Sequence, residues 1–411
     1  MIPLGEAKAA VLAACERLPA RSVPLADAVG CVTAEAVTSL EAVPPFVNSA
    51  MDGFAVQAAD TAGAGEATPA RLRVVATLLA GMAPDRPVGP GEAIRIMTGA
   101  PMPDGADAVV MVERSRPVGP DEVELTEEVS PGTAVRGAGD DVQVGDVVVP
   151  AGTLLRPAHL GVLASVGRTE VTVVPRPRVG LLSTGDELVP PGEPLALGQI
   201  RDSNRPMLVA LVAGAGAEPI DLGRVPDDEA VLEARLREGA ARCDVLVTSG
   251  GVSMGEADVV KAVLGRIATM DWMQIAIRPA KPFALGLLEG TPILGLPGNP
   301  VSSFVSFELL ARPALRRMAG RADLDHPLVR AVADDDLPRR PDGKTHFLRV
   351  RTAFDGTHVR VAPVGAQGSH QLAATASADG LAVLPDGPGV AAGDGVDVLL
   401  LAAEVTLTRS P

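Results

Sequence analysis

The sequence predicts a multidomain chain of α/β plus β-rich class: a doubly wound, mostly parallel α/β domain flanked by an inserted β-rich domain and a C-terminal β-domain. Three observations predict it. Between Arg178 and Ala319 short apolar runs alternate with helical periodicity, the pattern of a largely parallel sheet covered by helices on both faces. From about Asn48 to Asp140, and again after Asp325, the pattern shifts to period two between Gly and Pro clusters. With 411 residues the chain is long enough for two to four domains at roughly 100–200 residues each.

The elements follow in order. Apolar Ala7, Val11, Ala14 and Leu18 recur at helical spacing, so an amphipathic helix is expected to run until Pro19 stops it. Leu72–Ala76, Ala93–Met97, Ala108–Val112 and Val123–Leu125 read as strands of the inserted domain. Val147 to Val174 holds a turn, a helix near Pro157–Val166 and a strand at Val171–Val174. In the α/β region the expected order is strand Val179–Leu182, helix Pro206–Ala213, strand Pro219–Leu222, helix Glu229–Gly239, strand Val245–Thr248 and helix Ala257–Leu264. Strands near Ile275, at Phe283–Leu287 and at Ile293–Leu296 follow, then one helix Val301–Met318. Phe347–Phe354 and Val359–Val364 flank Asp355-Gly356, a type I′ hairpin signal. The expected partition is 1–47 with 139–176 as a discontinuous domain, 48–138, 177–324 and 325–411.

Composition excludes several function classes. Tyr is absent and Trp occurs once, so no aromatic platform for stacking single-stranded bases exists. The formal charge of −15 argues against phosphate backbones or an anionic membrane as the main partner, and no uninterrupted apolar run is long enough to span a bilayer. Cys15, Cys31 and Cys243 show no CxxC spacing and read as reduced thiols, and the first residues lack a signal-peptide pattern. A cytoplasmic location is expected.

The chemistry gathers at three loops of one design, each an apolar strand, a turn of small residues and a helix. They are 183–187 with Ser183 and Thr184, 249–255 with Gly250, Gly251 and Ser253, and 297–303 with Pro297, Gly298, Asn299, Pro300 and Ser302. Small residues let backbone N–H groups approach an oxyanion, which the positive end of the following helix also favours. No GxxxxGK[ST] sequence is present, and no GxGxxG follows a strand, so neither a P-loop nor a dinucleotide fingerprint is read here.

Carboxylates adjoin these loops: Asp186 and Glu187, Asp227 and Asp228, Glu256 and Asp258. Acids beside phosphate-binding loops repel substrate unless a cation lies between them, which suggests Mg²⁺ with Glu187 and Asp258 as the better metal ligands. Helix capping is the competing account, and Asp227 and Glu256 stand where capping acids are expected. Arg278-Pro279-Ala280-Lys281-Pro282 presents two cations on an extended segment, suited to oxyanion contact.

Several segments together resemble the molybdopterin molybdenumtransferases, the MoeA and gephyrin E-domain family. They are NSAMDGFAV (48–56), RIMTGAPMPDGADAVVMVE (95–113), VRGAGDDV (135–142), LLSTGDEL (181–188), RDSN (201–204), TSGGVSMGEAD (248–258), IRPAKPFALG (277–286), GLPGNPVSSFVSFELL (295–310) and GAQGSH (365–370). They occur in the family's order over nearly the whole chain. The resemblance implies molybdenum insertion into adenylylated molybdopterin with release of AMP, molybdate as co-substrate, Mg²⁺ assistance, and a homodimer with a cleft shared between subunits. The adenylyltransferase that supplies the substrate and the enzymes that accept the cofactor are further implied partners. It places functional acids and a hydroxyl at Asp52, Thr98, Asp141, Glu187, Asp227 and Asp258, and puts Arg349 and Ser369 near molybdate. The chain departs from the family at Gln274 and Arg278, where Lys is frequent, and at Ala280, where Gly is frequent. Two alternatives are a scaffold built on the same fold and the related adenylyltransferase, which needs only the α/β domain.

Overall fold

A computed structural model of the chain describes residues 1–252 and 259–401. The chain forms two compact units. One comprises residues 22–29 and 35–172; the other comprises residues 1–21, 30–34 and everything from Val173 onward.

The first unit is β-rich. Its six-stranded sheet runs in the order Ala108–Met111, Gly53–Val56, Glu92–Ile96, Ala70–Leu78, Glu122–Leu125, Ser115–Pro117. Alternation assigns side chains to two faces. Phe54, Val56, Ala93, Ala108 and Val110 enter one core, while Ala55, Ile94, Ile96 and Val109 enter another.

In the second unit helix α1, Leu4–Ala14, buries Ala7 and Val11 against the α/β core, while α2, Pro157–Ser165, belongs to the first unit. It ends a turn earlier than the periodicity implies, because the Leu18 N–H is donated to the Met318 carbonyl at 2.9 Å instead of to its own helix. The central sheet has the order Glu218–Val225, Arg178–Thr184, Val245–Ser249, Thr291–Leu296, Pro282–Leu288, Thr269–Gln274. Its first four strands are parallel and the last two antiparallel. Val179, Leu181, Val245, Val247, Leu294 and Leu296 point to one face, where they meet Leu208 and Val212 of helix α3, Asn204–Gly214. Leu182, Leu246 and Ile293 point to the other, under Leu232 and Leu236 of α4, Glu229–Arg242, and Val260 and Val263 of α5, Val259–Ile267. Both faces are therefore dry, as a doubly wound sheet requires.

The single long helix expected over Val301–Met318 is interrupted. Helix α6, Pro300–Ser306, passes into a π-helical turn at Phe307–Ala311 before α7, Arg312–Met318. Pro313 supplies the reason, since it lacks the N–H that would close an α-turn onto Leu309, and the wider turn absorbs the defect.

Leu328–Ala333, Thr345–Phe354, Val359–Pro363, Gly380–Leu384 and Gly395–Leu400 form a sheet that closes on itself, because Thr345–Phe354 pairs with both Val359–Pro363 and Gly380–Leu384. The expected type I′ turn is not formed. Phe354 pairs with Val359, and in the four-residue link the Asp355 carboxylate accepts the N–H groups of Thr357 and His358, both at 2.8 Å. Gly356 has positive φ but Asp355 does not, and a type I′ turn on this pair needs both.

The basic segment leaves the α/β sheet altogether. Ile277–Arg278 pairs in parallel with Thr345 and His346 of the C-terminal sheet. Two residues on, Ala280 is buried with φ +76°, a left-handed conformation in which a Cβ costs about 1 kcal/mol. Ala280→Gly should therefore leave the protein unchanged or more stable, by up to about 1 kcal/mol once the greater freedom of glycine in the unfolded chain is set against the relieved strain. Thermal unfolding measures this, and a clear loss of stability would contradict it.

Candidate active site

The carboxyl ends of the parallel strands carry the loops expected to meet an anion. Asn204, the first residue of α3, ties them together: its amide Nδ2 donates to Ser249 Oγ at 2.8 Å and to the Gly298 carbonyl at 2.7 Å. Asn204 is buried, and its Oδ1 has no protein partner. A cleft of about 640 Å³ opens there, lined by Thr184, Glu187, Asn204, Gly250, Gly298, Asn299 and Pro300 among others. Two glycines have no substitute. At Gly251, φ +76°, a Cβ would stand 2.2 Å from Val260 Cβ, and at Gly185, φ +138°, it would stand 2.3 Å from the Glu187 carboxylate. Glu187 thus lies folded over its own loop beside the cleft.

Ser183 is fully buried and donates its hydroxyl to Asp202 Oδ2 at 2.6 Å, so its expected contact with substrate is replaced by an internal one. Asp202, itself buried, also accepts from Arg205 Nε at 3.0 Å, fixing the turn into α3. Neither Asp202 nor Asn204 was singled out as a site residue from sequence, although both stand in the RDSN segment. A polar pair just before an apolar helix was the available signal.

Capping is done by Asp228, whose carboxylate accepts the Val231 N–H at 2.9 Å at the start of α4. Asp227 is thereby left to the loops. Its carboxylate faces the Asp186 N–H, and Asp186 in turn faces the Asp227 N–H, both at 3.3 Å. Ser253, Glu256 and Asp258 lie outside the described residues. Among the described residues no three His, Cys, Asp or Glu side chains gather as a metal cage.

A second pocket, about 310 Å³, holds Arg278, Lys281, Ser302 and Ser369 as expected, and adds Lys344, which sequence reasoning missed. Three cations thus converge with two hydroxyl-bearing residues. The pocket adjoins the PGNP loop through α6, where the Val301 N–H reaches the Ser369 carbonyl at 3.1 Å. Arg349 does not line it. That side chain is 1% exposed and spends its five N–H donors on Gln367 Oε1, Gln371 O, Thr375 Oγ1, Ala366 O and Gly368 O, holding the 366–371 loop that presents Ser369. Arg349 therefore has no donor left to offer the pocket directly. Below the pocket the Asp342 carboxyl is held down at about 2 by hydrogen bonds from Lys344, at 3.0 Å, and His346, at 3.1 Å.

The remaining expected residues belong to the β-rich unit. The Asp52 carboxylate accepts both the Thr98 N–H and the Thr98 hydroxyl at 2.7 Å, and these bonds, with Arg95 nearby, draw its pKa below the usual value. Asp141, with Asn48 and Arg136, lines a hollow of about 520 Å³. Strand Asn48–Ser49 pairs with Val135–Arg136, and Asn48 bridges to Pro101, so the segments bearing Asp52, Thr98 and Asp141 are built into one neighbourhood.

Asn204→Ala removes two donated hydrogen bonds and should destabilise the protein by about 1–3 kcal/mol in denaturant unfolding, since a buried carbonyl and hydroxyl lose their donor. Thr98→Val keeps the backbone N–H but deletes the hydroxyl. The Asp52 pKa should then rise part of the way to its ordinary value, which carboxyl NMR titration reads. Because a lowered carboxyl pKa stabilises the fold above the unfolded-state value and loses that contribution as pH falls through the folded one, Thr98→Val should blunt acid sensitivity at this site.

Comparison with known proteins follows this geometry. The MoeA N-terminal region (domains I and II) matches residues 2–167, the probable molybdopterin binding domain residues 180–317, and the MoeA C-terminal region (domain IV) residues 330–401. Molybdopterin molybdenumtransferase 2 of Mycobacterium tuberculosis is 41% identical over 371 residues, covering 89% of this chain and 91% of that protein. The molybdopterin molybdenumtransferase of Haemophilus influenzae is 38% identical over 405 residues, covering 97% and 98%. A crystal structure of the molybdopterin biosynthesis MoeA protein from Pyrococcus horikoshii aligns with a TM-score of 0.74 at 31% identity, over 97% of this chain and all of that one. With family matches spanning most of its length in the same order, the chain belongs to the MoeA family of molybdopterin molybdenumtransferases.

Proposed function

We propose that this protein inserts molybdenum from molybdate into adenylylated molybdopterin and releases AMP. A role in molybdenum-cofactor biosynthesis follows from its family. The observation that carries the finer reading is the adjacency of two unlike pockets along α6. One is a cleft of small-residue loops and an Asn amide, suited to phosphate groups, with Glu187 and Asp202 at its wall; the other gathers Arg278, Lys281 and Lys344 and has room for a tetrahedral oxyanion.

Both substrates are anions and must be brought together. Cations on one side and backbone N–H groups on the other lower that repulsion before any bond changes. Arg278 and Lys281 bind and orient molybdate, Ser302 and Ser369 hydrogen-bond it, and Arg349 and Asp202 act as positioning residues. Mg²⁺ fits the hard oxygen of Glu187, with Asp258 as second ligand. Mg²⁺ is commonly held by one or two carboxylates and completed by water and substrate phosphate. When bound it would screen the charge of the phosphate link.

We further propose a homodimer in which Asp52, Thr98 and Asp141 of one subunit complete the cleft of the other. Supporting this, Leu40, Phe46, Val47 and Met51, flanking Asn48 and Asp52, are exposed apolar side chains on the isolated chain. The adenylyltransferase reading needs only the α/β portion, whereas the family matches also cover the β-rich and C-terminal regions.

Lys281→Ala should weaken molybdate binding by about 10- to 100-fold, the worth of one charged hydrogen bond of about 1.5–3 kcal/mol. Equilibrium dialysis against molybdate measures it, and undiminished affinity in both Lys281→Ala and Arg278→Ala sinks the assignment. Mixing Asp52→Ala with Glu187→Gln subunits should restore AMP release from adenylylated molybdopterin to roughly a quarter to a half of wild type per heterodimer, because one cleft of two is intact. Folded mixtures with no recovery would show that the cleft is not shared.

A further inference from the structure

We propose a second oxyanion site, in a cavity of about 700 Å³ bounded by α3, α7 and the link that follows α7. The cavity shares no lining residue with the cleft or the molybdate pocket. Its chemistry is that of a phosphate group, free or borne by a nucleotide.

Arg312 and Arg316 are 8% and 7% exposed, and Arg321 joins them at the cavity wall. Asp323 serves two of the three: its Oδ2 accepts Arg316 Nη2 at 2.5 Å and Arg321 Nη2 at 2.9 Å, and its Oδ1 accepts Arg321 Nε at 2.9 Å. Asp325 is committed to Lys8. Glu308 is bonded to His326 at 2.7 Å and stands 3.8 Å from Arg312 Nε, beyond hydrogen-bond reach, so Arg312 donates instead to the Leu324 carbonyl at 3.0 Å. Four cations therefore face three carboxylates, and the excess positive charge is buried.

Buried cations without full compensation are costly unless an anion is admitted. The strain registers where it should. Burial, together with its arginine neighbours, pushes the Arg316 guanidinium down to about 10, and Arg312 is also lowered, chiefly by burial. The Arg316 Nε–H is buried with no partner at all. The buried Arg316 guanidinium at the cavity wall thus keeps hydrogen-bonding capacity that its ion pair with Asp323 has not used, beside two further arginines that an admitted anion would meet. The π-helical turn at Phe307–Ala311 sets this up, by carrying Glu308 at its second position and starting α7 with Arg312. A free phosphate would fill only a small part of the cavity, so a larger ligand ending in a phosphate also fits.

The test is calorimetric titration of the full-length protein with inorganic phosphate and, separately, AMP, at constant ionic strength. A Lys281→Ala background weakens competing binding at the molybdate pocket. Arg316→Gln should weaken binding at least 10-fold. Because that change also removes a bond to Asp323, Ala210→Glu is the second variant. Ala210 is an exposed residue of α3 on the cavity wall, and a carboxylate there opposes an anion without breaking any existing bond. Ala210→Gln, the neutral control, should bind as the parent does. Of the binding that Ala210→Glu abolishes, AMP at least 10-fold tighter than phosphate assigns the site to a nucleotide-borne group, and similar affinities assign it to free phosphate. Absence of saturable binding, or equal binding in the parent and the Ala210→Glu protein, overturns the proposal.

Discussion

One side-chain amide closes the functional end of the α/β sheet. A parallel sheet buried on both faces confines its chemistry to the strand ends, where loops must carry unpaired backbone groups past one another. Asn204 supplies two donors at that crossing and fixes the end of one strand, the PGNP loop and the start of α3 in mutual register. Ser183 and Asp202 do the same one layer deeper, in the dry interior, where a hydroxyl left unpaired is expensive. The cleft is open because these groups are spent on each other and not on the space between them.

Electrostatically the chain answers a negative overall charge with local cation wells. Arg278, Lys281 and Lys344 gather from two elements that are far apart in sequence, and the guanidinium of Arg349 is used in full as scaffold behind them. A buried arginine bonded only to neutral acceptors contributes long-range positive potential while presenting no donor. It attracts an anion to the neighbourhood without competing for it.

Much of this was legible in the sequence, for physical reasons that can be named. The alternation of apolar runs located the strands of the α/β sheet because burial on both faces demands such runs, and the small-residue loops announced themselves because close backbone approach demands glycine. Asp52, Thr98 and Asp141 carry no periodic signal, and their roles come from the resemblance. The break at Phe307–Ala311 was hidden, since helical periodicity is blind to a one-residue widening and Pro313 alone hints at it. Lys344 was missed because its approach to Arg278 depends on a parallel pairing between segments some seventy residues apart, which no local pattern encodes. Loop design pointed to Ser183 and resemblance to Arg349, and only burial reveals that their donors are already engaged within the protein.

The strand Ile277–Arg278 has a consequence for how the protein comes apart. It leaves the α/β layer to add a parallel edge to the C-terminal sheet, with Ile277 opposite Thr345 and Arg278 opposite His346. The two layers therefore do not behave as beads on a string. Loosening the C-terminal sheet withdraws the hydrogen-bonding partner of the very segment that bears two of the three pocket cations, so local opening there erodes the pocket before the α/β core itself is disturbed. The assembled pocket thus exists only while two separately folded layers are both closed, since its cations are held partly by each.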